Sequence, residues 1–367
     1  MSIYLLPIRS ALIAFPFIAA LFVLPVYIYQ YRKFGFVNKL RIFAFYAFIL
    51  YLMCAYFEVI LPLPNTRDII SLYGTNRQTY DLTLFSSIQD IIRETQVIPS
   101  NPATYLHLFR ERAFLQLAFN IILTIPFGIF MRYLFNRNFK QTVFFSFLLT
   151  LFFELSQLTG LFWIYNAPYR LFSVDDLLFN TIGGILGYLI TPLITAFIPT
   201  LQQIDSQTVL PTNVGTLRRL AALAVDWIMI SFLTLVLNIM SVKAIPESLI
   251  TFITVSLYFI VLPAIAHGYT VGKKLVRIRL SDDHGNLPLG RLILRTYLFY
   301  GVTMGLNPWI NSIANYFTDD LIIQMGAFIL TSGIGLLLIV NFLGNLRSHI
   351  FFHDKLSGIH NVVVDKK

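Results

Sequence analysis

Nine stretches of about 20 predominantly apolar residues recur along the 367-residue chain, at about 12–31, 41–63, 113–134, 142–163, 178–199, 217–240, 247–266, 291–311 and 321–343. A run of that length makes a helix about 30 Å long, the thickness of a bilayer's hydrocarbon core. Lipid offers no partner for backbone N–H and C=O groups, so each span must satisfy them internally as a helix. The expected fold class is therefore all-α: a polytopic integral membrane bundle of about nine transmembrane helices.

Composition agrees. The chain is 57% hydrophobic and only 12% charged, against about 25% charged in soluble domains. A net charge of +9 would fit a nucleic-acid partner, but the basic residues sit in short loops between apolar runs, so nucleic acid is excluded as a partner. Arg32, Lys33, Lys39, Arg41, Arg132, Arg137, Lys140, Arg218, Arg219, Lys273, Lys274, Arg277, Arg279, Arg291, Lys366 and Lys367 fall on one side if the N-terminus is external and the C-terminus cytoplasmic. The first run is too long for a signal-peptide core and lacks a small-residue cleavage site, so it reads as a retained span. The single Cys54 can form no intrachain disulfide.

Two segments interrupt the spans. The external loop 64–112 has balanced charge and contains YDLTLFSSIQDIIRETQ, whose periodicity predicts a short amphipathic helix. The polar stretch 200–216 reads as a cytoplasmic linker between a five-span domain, 1–199, and a four-span domain with a tail, 217–367.

Polar residues inside the spans carry the functional signal. A carboxylate near the middle of a span costs about 2.5 kcal/mol or more, so Glu154 should face a polar partner or a water-filled cavity. Gln157 shares its face one turn on, and Asp176 and Asn180 share a face at the start of the fifth span. Gly183, Gly184 and Gly187 continue beside that face, where small residues let helices approach closely. Asn120 enters from the third span. Asn120, Glu154, Gln157, Asp176 and Asn180 can then share one polar layer in the outer half of the membrane, with Arg170 as a counter-charge. Asp175 has a plainer role open to it, capping a helix N-terminus.

The spacing Glu154-x2-Gln157, Arg170, Asp175-Asp176-x3-Asn180-x2-Gly183-Gly184-x2-Gly187, together with NIILTIPFG from Asn120 to Gly128, resembles the VanZ-like family over about 40–195. Where that family often has a third acidic residue, this chain has Ser173. The resemblance implies a bacterial cell-membrane protein that lowers susceptibility to teicoplanin-type glycopeptides. Its expected partners are membrane lipids and a lipid-linked wall precursor or lipoglycopeptide.

In the second half, Arg219 and Asp226 lie on one face of the sixth span, about 10 Å apart along the axis and too far for a direct bridge. Asp226 needs another partner, for which Arg295 or a bound cation are the candidates. LVRIRL alternates as a strand, DDHGNLP reads as a turn, and NVVV near the C-terminus could pair with the strand in a small cytoplasmic hairpin. Arg219, Asp226 and Asp354 in HDKLSG, with T-x-G-K-x-L from Thr270 to Leu275, resemble the RDD family over about 210–367. That resemblance implies transport, including cation/proton antiport, as an alternative function. The scattered histidines have no metal-ligand spacing, and no cofactor is expected. No nucleophile accompanies Glu154, so the sequence favours a non-enzymatic role. It leaves the ligand, the ion and the oligomeric state open.

Overall fold

The computed structural model describes residues 5–208, 211, 213–240, 247–306, 310, 321–345 and 350–364. Within them seven helices are long and apolar enough to cross a membrane: α1 Leu6–Phe34, α2 Lys39–Ile60, α5 Arg112–Tyr133, α6 Phe139–Leu158, α7 Val174–Thr195, α9 Thr216–Met240 and α13 Leu321–Gly344. The protein is a multi-pass, all-α membrane bundle. Large apolar side chains such as Leu321, Phe328 and Leu337 on α13 are exposed, as suits helices solvated by lipid.

The two other expected spans are present as apolar helix of a different kind. α10, Glu247–Ser256, passes through a π-helical stretch, Leu257–Val261, into Leu262–Ile265. Its apolar part, Leu249–Ile265, is about 25 Å long at about 1.5 Å per residue, short of a full crossing. α12, Leu289–Thr296, continues as π-helix through Tyr297–Leu306. Residues 307–309 and 311 of that expected span, and the tail lysines 366 and 367, lie outside the described residues.

Helix ends follow local chemistry. The Asn138 side chain accepts from the Gln141 N–H while the Gln141 side chain accepts from the Asn138 N–H, a reciprocal cap that starts α6. α6 stops at Leu158, five residues before the expected 163, because Gly160, Leu161, Phe162 and Trp163 take left-handed backbone with φ of 57°, 54°, 53° and 67°.

The chain forms two compact units, residues 1–22 with 38–208, and residues 23–37 with 209–367. In the first, the loop after α2 carries α3 Ile69–Tyr73, β1 Tyr80–Asp81 and α4 Ser86–Glu94. α4 lies inside the segment expected to be amphipathic helix. β1 pairs in parallel with β2, Phe172–Ser173, a contact that two-residue strands do not announce in sequence. The polar stretch after α7 folds as α8, Leu201–Gln207, and Asp205 meets Arg41 of α2 at 2.5 Å.

The centre of this unit is the approach of α5 to α7. A Cβ on Gly183 would collide with the Ile121 carbonyl, one on Gly187 with the Ile125 carbonyl, and one on Gly128 with the Gly184 carbonyl. Gly184 turns instead to the Ser146 hydroxyl of α6. The glycines therefore permit backbone-to-backbone contact between α5 and α7 and close approach of the Ser146 side chain of α6.

In the second unit, α11 Val271–Leu275 precedes β3 Ile278–Ser281, and α14 Phe352–Ser357 precedes β4 His360–Val363. β3 and β4 pair antiparallel with Ile278 opposite Val363 and Ser281 opposite His360, the small sheet anticipated from LVRIRL and NVVV. The Asp282 side chain closes the expected turn by accepting from the His284 and Asn286 N–H groups at 3.0 and 2.7 Å.

The glycine contacts make a contrast that can be measured. Gly187→Ala should force α5 and α7 apart, cost about 1–3 kcal/mol and lower the thermal stability of the protein in detergent. Gly326→Ala in α13, where a Cβ meets nothing within 4 Å, should be neutral or slightly stabilising.

Candidate functional site

In the first unit the polar residues of α5 and α7 meet rung by rung. The Asn120 side-chain amide donates to Asp176 Oδ1 at 2.6 Å. One turn along both helices, the Thr124 hydroxyl donates to the Asn180 carbonyl at 2.5 Å. Four-residue spacing on each helix puts both rungs on one face. From α6, Glu154 is buried at 2% exposure and accepts from the Ser173 N–H at 2.9 Å. It lies within electrostatic range of Asp176. Two carboxylates from different helices thus lie within electrostatic range, with an amide fixing one of them, and the Asn180 side-chain oxygen is buried with no partner among the described residues.

The remaining expected residues hold the loops in place. Gln157 donates to the Val59 carbonyl at 3.0 Å. Arg170 does not reach over the carboxylates. It donates to the Leu61 carbonyl, and its charge acts on Glu58 of α2. A carbonyl freed at the C-terminal end of α2 is a nearer partner for its guanidinium. Asp175 is fully buried and accepts from the Phe85 and Ser87 N–H groups at 2.6 and 2.8 Å, so it caps α4 rather than its own helix. From sequence, Glu58 is missed and Ser173 is taken only as the place of an absent carboxylate. Ser173 acts through its backbone, which leaves no residue-type signal. Glu58 sits in the second span and carried the same intramembrane-charge signal as Glu154.

The second unit holds two linked carboxylate centres. Asp354 on α14 receives Arg219 Nη1 from α9 and Arg295 Nε and Nη2 from α12, the last two at 3.1 and 2.7 Å. Asp226, deeper in α9, accepts from the Tyr258 hydroxyl, the Thr270 hydroxyl and the Gly272 N–H, each at 2.7 Å. Lys273 Nζ stands 3.7 Å from it. Arg295 is therefore not the partner of Asp226. The α11 turn brings two uncharged donors and one ammonium to Asp226 and the π-helical stretch adds the Tyr258 hydroxyl, while Arg295 is taken by Asp354. The T-x-G-K element has a physical reading: Thr270 links Asp226 to the start of α11, Gly272 has no room for a Cβ against the Ala222 carbonyl, and Lys273 supplies the charge.

Ionisation is shifted at this end. Burial alone would raise Asp354, but Arg295 and Arg219 outweigh it and hold the carboxyl down to about 2. Burial, with Arg295 and Arg219 beside it, drives His353 down to about 3, so its imidazole is neutral at physiological pH. Burial lowers the Lys273 amine to about 8, with Asp226 opposing. No group of three His, Cys, Asp or Glu able to hold a metal ion occurs among the described residues.

Chemically, both centres can anchor or neutralise charge. At the first centre the bond Glu154 accepts comes from a backbone amide, and at the second Asp226 holds the hydroxyls of Tyr258 and Thr270. Because His353 titrates near 3 when folded and near 6.5 when unfolded, the unfolded chain takes up a proton that the fold refuses. Stability should therefore fall as pH drops below about 6.5, by about 1.4 kcal/mol per pH unit, continuing toward pH 3. Melting curves in detergent at pH 7.5 and 5.5 should show this loss, and His353→Gln should remove it.

Two family models match the chain: VanZ/LLP1 over residues 48–195 and the RDD family over residues 214–358. Comparison with curated proteins and with solved structures returned no match. The first match contains every residue of the α5–α6–α7 cluster, and the second contains Arg219, Asp226 and Asp354. The chain therefore carries a VanZ-like domain and an RDD domain in one multi-pass membrane protein.

Proposed function

We propose that this envelope membrane protein lowers susceptibility to teicoplanin-type lipoglycopeptides by binding a lipid-linked or lipid-anchored ligand at the α5–α6–α7 cluster, in the outer half of the bilayer. The observation that carries this reading is the Asn120–Asp176 pair at 2.6 Å with Glu154 alongside. Two carboxylates in transmembrane helices are costly, and a purely structural need is met more cheaply by neutral amides. Glu154 and Asp176 anchor the ligand's polar groups, Asn120 and Asn180 orient them, and Gln157, Arg170 and Asp175 keep the surrounding loops closed. With the N-terminus outside and the C-terminus in the cytoplasm, the start of α7 opens on the face where wall precursors and lipoglycopeptides occur. The sequence also offered cation/proton antiport through the RDD carboxylates. The described contacts favour it less, because Asp226 is already served by three donors and a lysine.

Susceptibility of a deletion host tests the reading. The host is complemented with wild type, Glu154→Gln, Asp176→Asn or Asp226→Asn at matched membrane levels. Glu154→Gln and Asp176→Asn should drop protection to that of the empty host, while Asp226→Asn retains it. Equal protection by all three variants would make the carboxylates structural for this phenotype, and loss with Asp226→Asn alone would move the activity to the RDD domain.

A further inference from the structure

The RDD unit encloses a cavity of about 340 Å³, within the roughly 300–1,000 Å³ of small-molecule sites. Its walls are of two kinds. Leu223 of α9, Phe299 of the π-helical stretch after α12, and Leu338 and Phe342 of α13 make an apolar side, and Arg219, Lys273 and Arg295 border it with positive charge. The formal charges do not cancel: three cations stand against Asp226 and Asp354, and His353 is neutral.

Hydrogen-bond capacity is unbalanced in the same direction. Both oxygens of Asp354 are taken by the two arginines, and both oxygens of Asp226 by Tyr258, Thr270 and Gly272. Donors are left over. Arg219 Nε has no partner among the described residues. Lys273, itself 8% exposed, has three N–H groups and, among the described residues, Thr270 at 3.4 Å and Asp226 at 3.7 Å to receive them. A cation entering here would meet spent carboxylates. An anion would meet surplus donors, and an attached hydrocarbon chain would meet the leucine and phenylalanine wall.

We propose that this cavity is a binding site for an amphiphilic anion, a phosphate or carboxylate carrying an alkyl or acyl chain, with Lys273 and Arg219 receiving the head and the α9–α13 wall receiving the chain. Such a head adds the negative charge that the cluster lacks and converts unmatched donors into charge-assisted bonds. The chemistry is shared by a single-chain amphiphile arriving from water and by the headgroup end of an anionic lipid arriving from the bilayer.

The test uses the full chain in phosphatidylcholine nanodiscs, with empty nanodiscs subtracted. Decyl phosphate, decanol, decyltrimethylammonium and inorganic phosphate are titrated separately. Decyl phosphate should bind saturably and at least about tenfold more tightly than the other three. Leu223→Trp and Leu338→Trp, which fill the cavity from opposite walls, should each weaken it at least about tenfold while the melting temperature stays near wild type. If phosphatidic acid in the disc competes with decyl phosphate, the source is the bilayer. If only the single-chain form binds, the source is the aqueous phase, and either result supports the site. Equal binding of decyltrimethylammonium, or undiminished decyl phosphate binding in both folded tryptophan variants, would overturn the proposal. Should one variant fail to fold, the other decides.

Discussion

An ionised group removed from water must find its partners inside the protein, and this constraint organises both halves of the molecule. A chain with 12% charged residues has few to place, so each buried one explains a local arrangement. Asp354 gathers α9, α12 and α14 because two guanidinium groups converge on it. Asp226 gathers α9, the π-helical turn at Tyr258 and the start of α11 because it needs donors and lipid supplies none. Both centres place their charges on helices distant in sequence, so the residues that satisfy electrostatics also fix the packing.

The VanZ-like domain meets the same constraint with closeness rather than countercharge. Its carboxylates have amides and backbone N–H groups as partners, and hydrogen bonds to an ionised acceptor are short and need the donor held close. Glycine at 128, 183, 184 and 187 removes the side chains that would hold α5, α6 and α7 apart. The Asn120–Asp176 and Thr124–Asn180 bonds span that interface at 2.6 and 2.5 Å. Van der Waals contact and interhelical hydrogen bonds reinforce one another there, since lipid tails give no hydrophobic drive for helices to associate.

Much of this was legible in the sequence, for reasons of scale. Length and hydropathy announce spans directly, and four-residue spacing announces a shared face, so the layer of Asn120, Asp176 and Asn180 follows from one dimension. The β3–β4 pairing was legible because alternation and a turn sit beside it. What escaped depends on three-dimensional neighbours. Nothing in the spacing of Arg170 says that the end of α2 offers a nearer acceptor than the carboxylates. Nothing in Arg295 says whether Asp226 or Asp354 will claim it, because the choice depends on where α14 returns. The early end of α6 depends on four consecutive left-handed residues, three of them bulky, that local propensity disfavours and tertiary contacts impose.

Asp175 and Asp176 show how finely such a reading divides. They are adjacent and identical, and a helix turns by about 100° between them. That rotation sends Asp175 to the start of α4, where two backbone N–H groups saturate it, and sends Asp176 toward α5, where one amide holds one oxygen. A carboxylate with both oxygens committed to the backbone is part of the scaffold, since binding anything else would undo α4. A carboxylate held by one short bond, with a second carboxylate nearby, has both capacity and a reason to take another partner. The pair of aspartates therefore carries two separate tasks, and the first makes the second possible by fixing the helix from which Asp176 projects.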